Sequence, residues 1–225
     1  MRTRIAVGVL LASALATLAL GAMPAGAKAI KAPKISANFL KQLSGDLSKG
    51  KKITFDAVYK SVSNGGTTET ITIAQAPPKS DFSTGNGQVV DTGSNTYYCS
   101  GSTGHETCLS AGTDNPFASI EALFSPAAAL SAFSEAKEGL LEKSLGIKVS
   151  SSSVTIGGQA STCVSVTEHG STGKYCVTKQ GVLTYSGANN SYFELTKYSS
   201  SPPASLFQLP AGATTETLPD GVTIP

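Results

Sequence analysis

Apolar and polar positions alternate along this chain with two different periods. Ile35, Phe39, Leu40, Leu43 and Leu47 recur at helical spacing, with Ser36 placed as an N-cap and Gly50 just beyond the end. The spacing predicts an amphipathic helix that keeps Lys41, Asp46 and Lys49 in water. From Lys52 the period becomes two: Ile53, Phe55, Ala57 and Tyr59 alternate with Thr54, Asp56, Val58 and Lys60, which predicts a strand. Asn64-Gly65-Gly66 turns the chain into a second strand over 69–74, with Ile71 and Ile73 on one face. Short segments at 80–83, 88–91, 96–100 and 106–110 follow, each punctuated by Gly, Asn or Ser. Their connections are too short for parallel crossovers, so they predict an antiparallel meander.

Pro116 breaks that pattern. Residues 117–124 and 126–145 read as a helical pair, with Ser125-Pro126 supplying a cap followed by an N1 proline and Gly146 able to close the far end. Leu130, Phe133, Leu140, Leu141 and Leu145 gather on one side of the second helix, and Glu135, Lys137, Glu138 and Glu142 on the other. Strand patterns resume at 149–156, 160–168, 174–178, 182–185, 191–198 and 206–209. Helix, meander, helices, meander is an α+β order. The expectation is one domain over 28–225, with helices on one face of a long curved antiparallel sheet, a Lys-rich leader at 28–34 and an extended tail at 211–225.

The first 27 residues stand apart. Arg2 and Arg4, an apolar run over 5–22 and the small residues Ala25-Gly26-Ala27 form a Sec-type signal peptide, cut after Ala27 or Ala29. A run of that length can also span a bilayer as an anchor, but its Ala and Gly content and its A-x-A ending favour cleavage. No cysteine stands near the site for lipid attachment, and Thr3 interrupts the arginine pair, which removes the twin-arginine route. The expected product is secreted or extracytoplasmic, with no stable transmembrane segment after processing.

Charge narrows the function. Lys and Arg total 17 against 15 Asp and Glu, and Arg2 and Arg4 are the only arginines, so the chain beyond the leader is neutral and arginine-free. That argues against nucleic acid and against specific phosphoester chemistry, both of which lean on the guanidinium fork and on counterion release.

All four cysteines, Cys99, Cys108, Cys163 and Cys176, lie in the exported part, where disulfides persist. Of the three possible pairings the local one is favoured, because Cys99 and Cys108 bracket Ser100-Gly101-Ser102-Thr103-Gly104, and Cys163 and Cys176 bracket His169-Gly170-Ser171-Thr172-Gly173. Each pair reads as a stapled hairpin. A cross-strand bridge in each would set Val164 opposite Tyr175 and Tyr98 opposite Leu109. The expectation is that both bridges sit outside while those apolar partners face the helices. No C-x-x-C is present, and both histidines, His105 and His169, fall in the Gly-rich turns, so no metal site is expected.

Three motifs could carry catalysis. Val89-Val90-Asp91-Thr92-Gly93-Ser94 looks like an aspartic-protease loop, but two such carboxylates are needed and the chain has no second Asp-Ser/Thr-Gly, so a turn is expected. Ser134-Glu135-Ala136-Lys137 matches Ser-x-x-Lys, without a later Lys-Thr-Gly and on the polar side of a helix. His105 and His169 could serve a triad only in principle, since neither lies near a Gly-x-Ser-x-Gly elbow. Asn189-Asn190-Ser191 is a formal glycosylation sequon. The chain is expected to be non-enzymatic and to need no cofactor.

The order of elements, the opening Phe55-Asp56-Ala57, the strand and turn over 88–98, the mid-chain helices and the closing Leu206-Phe207-Gln208-Leu209-Pro210 resemble the LolA-like superfamily of bacterial envelope lipoprotein and glycolipid carriers. The resemblance implies a half-open antiparallel β-barrel wrapped around helices, with an apolar cavity for acyl chains. The chain departs from the carriers in lacking both a lipobox cysteine and an arginine to match the carrier's cavity arginine, which puts lipoprotein trafficking in doubt.

A sheet and an amphipathic helix that fail to pack closely leave a concave apolar space, and each buried methylene of a ligand there is worth about 0.8 kcal/mol. Candidate lining residues are Phe55, Tyr59, Ile71, Ile73, Leu130, Phe133, Leu140, Val164, Val166, Tyr175 and Phe193. The expected function is to hold a lipid or other hydrophobic ligand. The alternative is an envelope protein-interaction or sensory module with a solid interior.

Overall fold

The computed structural model describes residues 45–46, 49–50, 52–110, 148–168 and 170–217. The chain divides into two compact units, residues 1–30 and 31–225, and every described residue belongs to the second.

Twelve strands form one sheet: β1 Phe55–Val62, β2 Thr68–Ala76, β3 Lys79–Thr84, β4 Gly87–Asp91, β5 Thr96–Ser102, β6 His105–Ser110, β7 Lys148–Ile156, β8 Gln159–Glu168, β9 Ser171–Thr178, β10 Leu183–Ala188, β11 Ser191–Ser199 and β12 Thr214–Thr217. Their order across the sheet is β12-β6-β5-β4-β3-β2-β1-β11-β10-β9-β8-β7. Each half is the expected meander, since short turns, most of them bearing Gly, Asn or Ser, leave consecutive strands no choice but to pair antiparallel. The halves join where β11 pairs with β1. The chain leaves β6 at Ser110 and re-enters at Lys148 on the opposite margin of the sheet.

This corrects the expected α+β half-open barrel wrapped around helices. The sheet is open, with β12 and β7 at its two margins. Helical backbone among the described residues is confined to Gly45, Asp46, Lys49 and Gly50 and to one 3-10 turn, Ala204–Phe207. The β1–β11 pairing runs the two meanders into a single layer, so the described residues form an almost all-strand structure. The helices expected at 117–124 and 126–145 lie outside the described residues, as does most of the one expected over Ile35 to Leu47.

Two smaller corrections concern the C-terminal part. The strand expected at 206–209 is instead the end of the 3-10 turn and the residues after it, bracketed by Pro202-Pro203 and Pro210, whose missing N–H groups spoil a ladder. Part of the tail expected at 211–225 is β12, which adds to β6 in the one parallel ladder among the described strands, pairing Thr215 with Cys108.

Both disulfides form as the local pairing predicts, Cys99–Cys108 and Cys163–Cys176. Their registers set Tyr98 opposite Leu109 and Val164 opposite Tyr175. The exterior position expected for the bridges is overturned: none of the four cysteines is more than 1% exposed. Cys99 and Cys108 pack with Val90 beneath Leu209 and Ala213, so the C-terminal segment covers the bridged face of the first hairpin. Around the second bridge Val164 and Val177 are buried as well, so that hairpin is covered on both faces. A disulfide is apolar and belongs inside; alternation separates two faces without saying which one the chain covers.

Candidate functional site

Registers decide which side chains share a face, because directly paired residues point the same way. One cross-strand row runs Tyr198, Ala57, Ile73, Phe82, Val89, Tyr98, Leu109 from β11 to β6. It carries no charged residue. The adjacent row on the same face pairs Leu195 with Tyr59 and Tyr59 with Ile71. On the other side of β11, Phe193 pairs with Ser186, Ser186 with Tyr175, and Tyr175 with Val164. This is the apolar face.

The opposite face is mixed, with charged side chains beside the buried bridges. Its central row runs Ser199, Asp56, Ala74, Asp81, Val90, Tyr97, Ser110, and Lys60, Glu194 and Tyr185 occupy one face through successive pairings. Tyr185 stacks on Tyr192, with Lys174 over one ring and Lys60 over the other. Asp81 is 2% exposed and accepts hydrogen bonds from Ser83 Oγ and Gln88 Nε2. Burial nevertheless pushes its carboxyl up to about 6, the two hydrogen bonds pulling the other way. Asp56 buries one carboxylate oxygen with no hydrogen-bond partner among the described residues.

All eight described residues of the expected lining, Phe55, Tyr59, Ile71, Ile73, Val164, Val166, Tyr175 and Phe193, fall on the apolar face. They divide by exposure. Phe55, Tyr59 and Ile71 are buried in one cluster with Ala57 and Leu195, and Val164 is buried too, so these four are packed core. Ile73, Val166, Tyr175 and Phe193 are half-buried. Leu130, Phe133 and Leu140 lie outside the described residues.

Tyr59 anchors this face. Its hydroxyl donates to the Leu183 carbonyl at 2.9 Å, tying β1 to β10 across the intervening β11, and its ring stacks on Phe193 with centroids 4.2 Å apart. Burial pushes the Tyr59 hydroxyl far above its ordinary value, helped by the nearby Tyr175 and Tyr198, and burial does the same to Tyr175. Both phenols are therefore neutral at any physiological pH, and the carboxylates on this face stand away from them, Glu69 opposite Ser61 and Glu216 opposite Leu109. Phe55 stacks near Tyr198 at 6.2 Å.

Sequence periodicity missed Phe82, Val89 and Tyr198, which continue the same row. Counting register outward from Ile73 and Ala57 through the tight turns would have found them, because each pairing carries the face to the next strand.

The catalytic motifs resolve into turns where they are described. The Asp91 carboxylate accepts the Gly93 N–H at 2.7 Å, and the Thr92 N–H donates to the Asn95 carbonyl at 3.0 Å, closing the β4–β5 connection as a side-chain-supported turn. His105 is exposed at the β5–β6 turn. Ser134, Lys137 and His169 lie outside the described residues. Among the described residues no group of His, Cys, Asp and Glu is placed to hold a metal ion, and no helix is long and apolar enough to cross a membrane.

No family model matches the chain, and no curated protein matches its sequence. Among solved structures it is similar to MucB, with a TM-score of 0.49 and 13% identity over 79% of this chain and 65% of that one. The MucB of a Pseudomonas aeruginosa MucA/MucB complex gives 0.47 and 12%, over 78% of this chain and 62% of that one. An uncharacterized conserved protein of Thermus thermophilus gives 0.46 and 7%, over 79% and 98%. The chain thus spans a little under two thirds of the MucB chains it is similar to.

Proposed function

We propose that this chain is an exported, non-enzymatic binding protein that holds a lipid or other hydrophobic ligand against the apolar face of its sheet. The observation that carries the reading is the uncharged central row on one face. From β11 to β6 one face presents an unbroken uncharged row, while Asp56, Lys60, Asp81 and Glu194 are on the other. Half-buried Ile73, Val166, Tyr175 and Phe193 supply the surface that an acyl chain would cover, at about 0.8 kcal/mol for each methylene removed from water. Neutral phenols at Tyr59 and Tyr175 suit such a ligand, since neither leaves a buried charge beside it. Two buried disulfides support an oxidising compartment outside the cytoplasm.

Organic extraction of the protein purified from its native source, followed by mass spectrometry, tests this. The expected result is one lipid class recovered in stoichiometric amount. Recovery of none, together with no uptake of a fluorescent fatty acid by the stripped protein, overturns the proposal and favours a module whose partner is another protein.

A further inference from the structure

The two margins of the sheet are built differently. β12 is four residues long and carries Glu216, both devices that discourage further pairing. β7 is less protected, its one charge, Lys148, standing at the first residue. It is nine residues long, Lys-Val-Ser-Ser-Ser-Ser-Val-Thr-Ile, without proline or glycine, and its ladder with β8 runs from Lys148↔Thr167 to Ile156↔Gln159 without a bulge. Ser150, Ser151, Ser152, Ser153 and Thr155 are all exposed, and no described strand pairs with its outer side. A long, regular margin whose single charge stands at one end is a template for one more strand.

The phase of the ladder says which backbone groups face outward. Gly157 and Gly158 both have positive φ, 55° and 76°, as a two-residue type I′ hairpin requires, which makes Ile156↔Gln159 a hydrogen-bonded pair. Such pairs alternate, so Ser152↔Cys163 is one also. The Cα atoms of Cys163 and Cys176 are 4.0 Å apart, the close approach of a non-hydrogen-bonded pair, as expected if Cys163 spends its backbone groups on Ser152. Val149, Ser151, Ser153 and Thr155 therefore direct their N–H and C=O groups away from β8.

We infer that β7 pairs antiparallel with β7 of a second copy of this chain, with Ser152 opposite its own counterpart. In that register Val149 meets Thr155 and Ser151 meets Ser153, so all four outward-directed residues find hydrogen-bonded partners. Lys148, the only charge on the strand, meets Ile156 and never itself. Small hydroxyl side chains meet one another across the seam, a favourable cross-strand pairing. From Ser150 to Ile156 the strand carries no charge with which to select a foreign peptide, whereas its own sequence fits it without conflict.

Sedimentation velocity of the purified chain over a wide concentration range, with two double variants, tests the inference. Wild type is expected to dimerise with increasing concentration. S151K/S153K places lysine opposite lysine twice and should raise the dissociation constant by about ten-fold or more, while S151K/S153E places lysine opposite glutamate twice and should keep the dimer. Both positions are exposed, and equal thermal melts confirm that the fold is unchanged. A wild type that stays monomeric throughout overturns the inference, as does S151K/S153E losing the dimer as fully as S151K/S153K.

Discussion

Asp81 shows how one residue can oppose the fold that contains it. It sits in a row between Ala74 and Val90, both 0% exposed, and burial raises its carboxyl to about 6. The folded chain therefore holds the Asp81 proton more tightly than the unfolded chain does. The stability this contributes is fully present below about pH 4 and is lost as the pH rises through about 6. Asp81→Asn keeps the size and removes the titration. Urea unfolding of both proteins at several pH values should show the variant equal to wild type near pH 4 and more stable near pH 7, by on the order of 2 kcal/mol. A variant weakened equally at every pH would show that the Ser83 and Gln88 hydrogen bonds outweigh the desolvation.

The two bridged hairpins carry the clearest prediction at the level of elements. Each bridge closes a short loop, with sequence separations of 9 and 13, and each is fully buried. Replacing Cys163 and Cys176 together by alanine should cost about 3 kcal/mol in urea unfolding, from the freed loop and from the space left in the core. A loss below about 1 kcal/mol would mean that the ladder alone holds β8 to β9.

These hairpins also show what was legible in the sequence. Tight turns and period-two alternation are local, so β1 to β11 could be read from residues such as Ile71, Ile73 and Val164, and the cysteine pairing followed from the turn residues between each pair. β12 could not, because Thr214-Thr215-Glu216-Thr217 has no apolar alternation and gains its place only from the distant β6. The exterior position expected for the bridges failed for a related reason: Leu209 and Ala213 cover Cys99 and Cys108 from a remote part of the chain. The apolar face was half legible. Phe55, Tyr59 and Phe193 announced themselves by alternation, whereas Phe82, Val89 and Tyr198 join them only through a register that crosses strands.

At the level of the whole molecule, β1 joins two meanders into one sheet with an uncharged central row on one face and Asp56, Lys60, Asp81 and Glu194 on the other. A photoreactive fatty acid carrying a diazirine, added to the stripped protein and mapped by peptide mass spectrometry, reads this division directly. Adducts are expected at Ile73, Val166, Tyr175 and Phe193, and unlabelled fatty acid should compete them away. Adducts concentrated at Tyr185 and Tyr192, on the opposite face of the neighbouring strands, or labelling that no competitor reduces, would contradict that expectation.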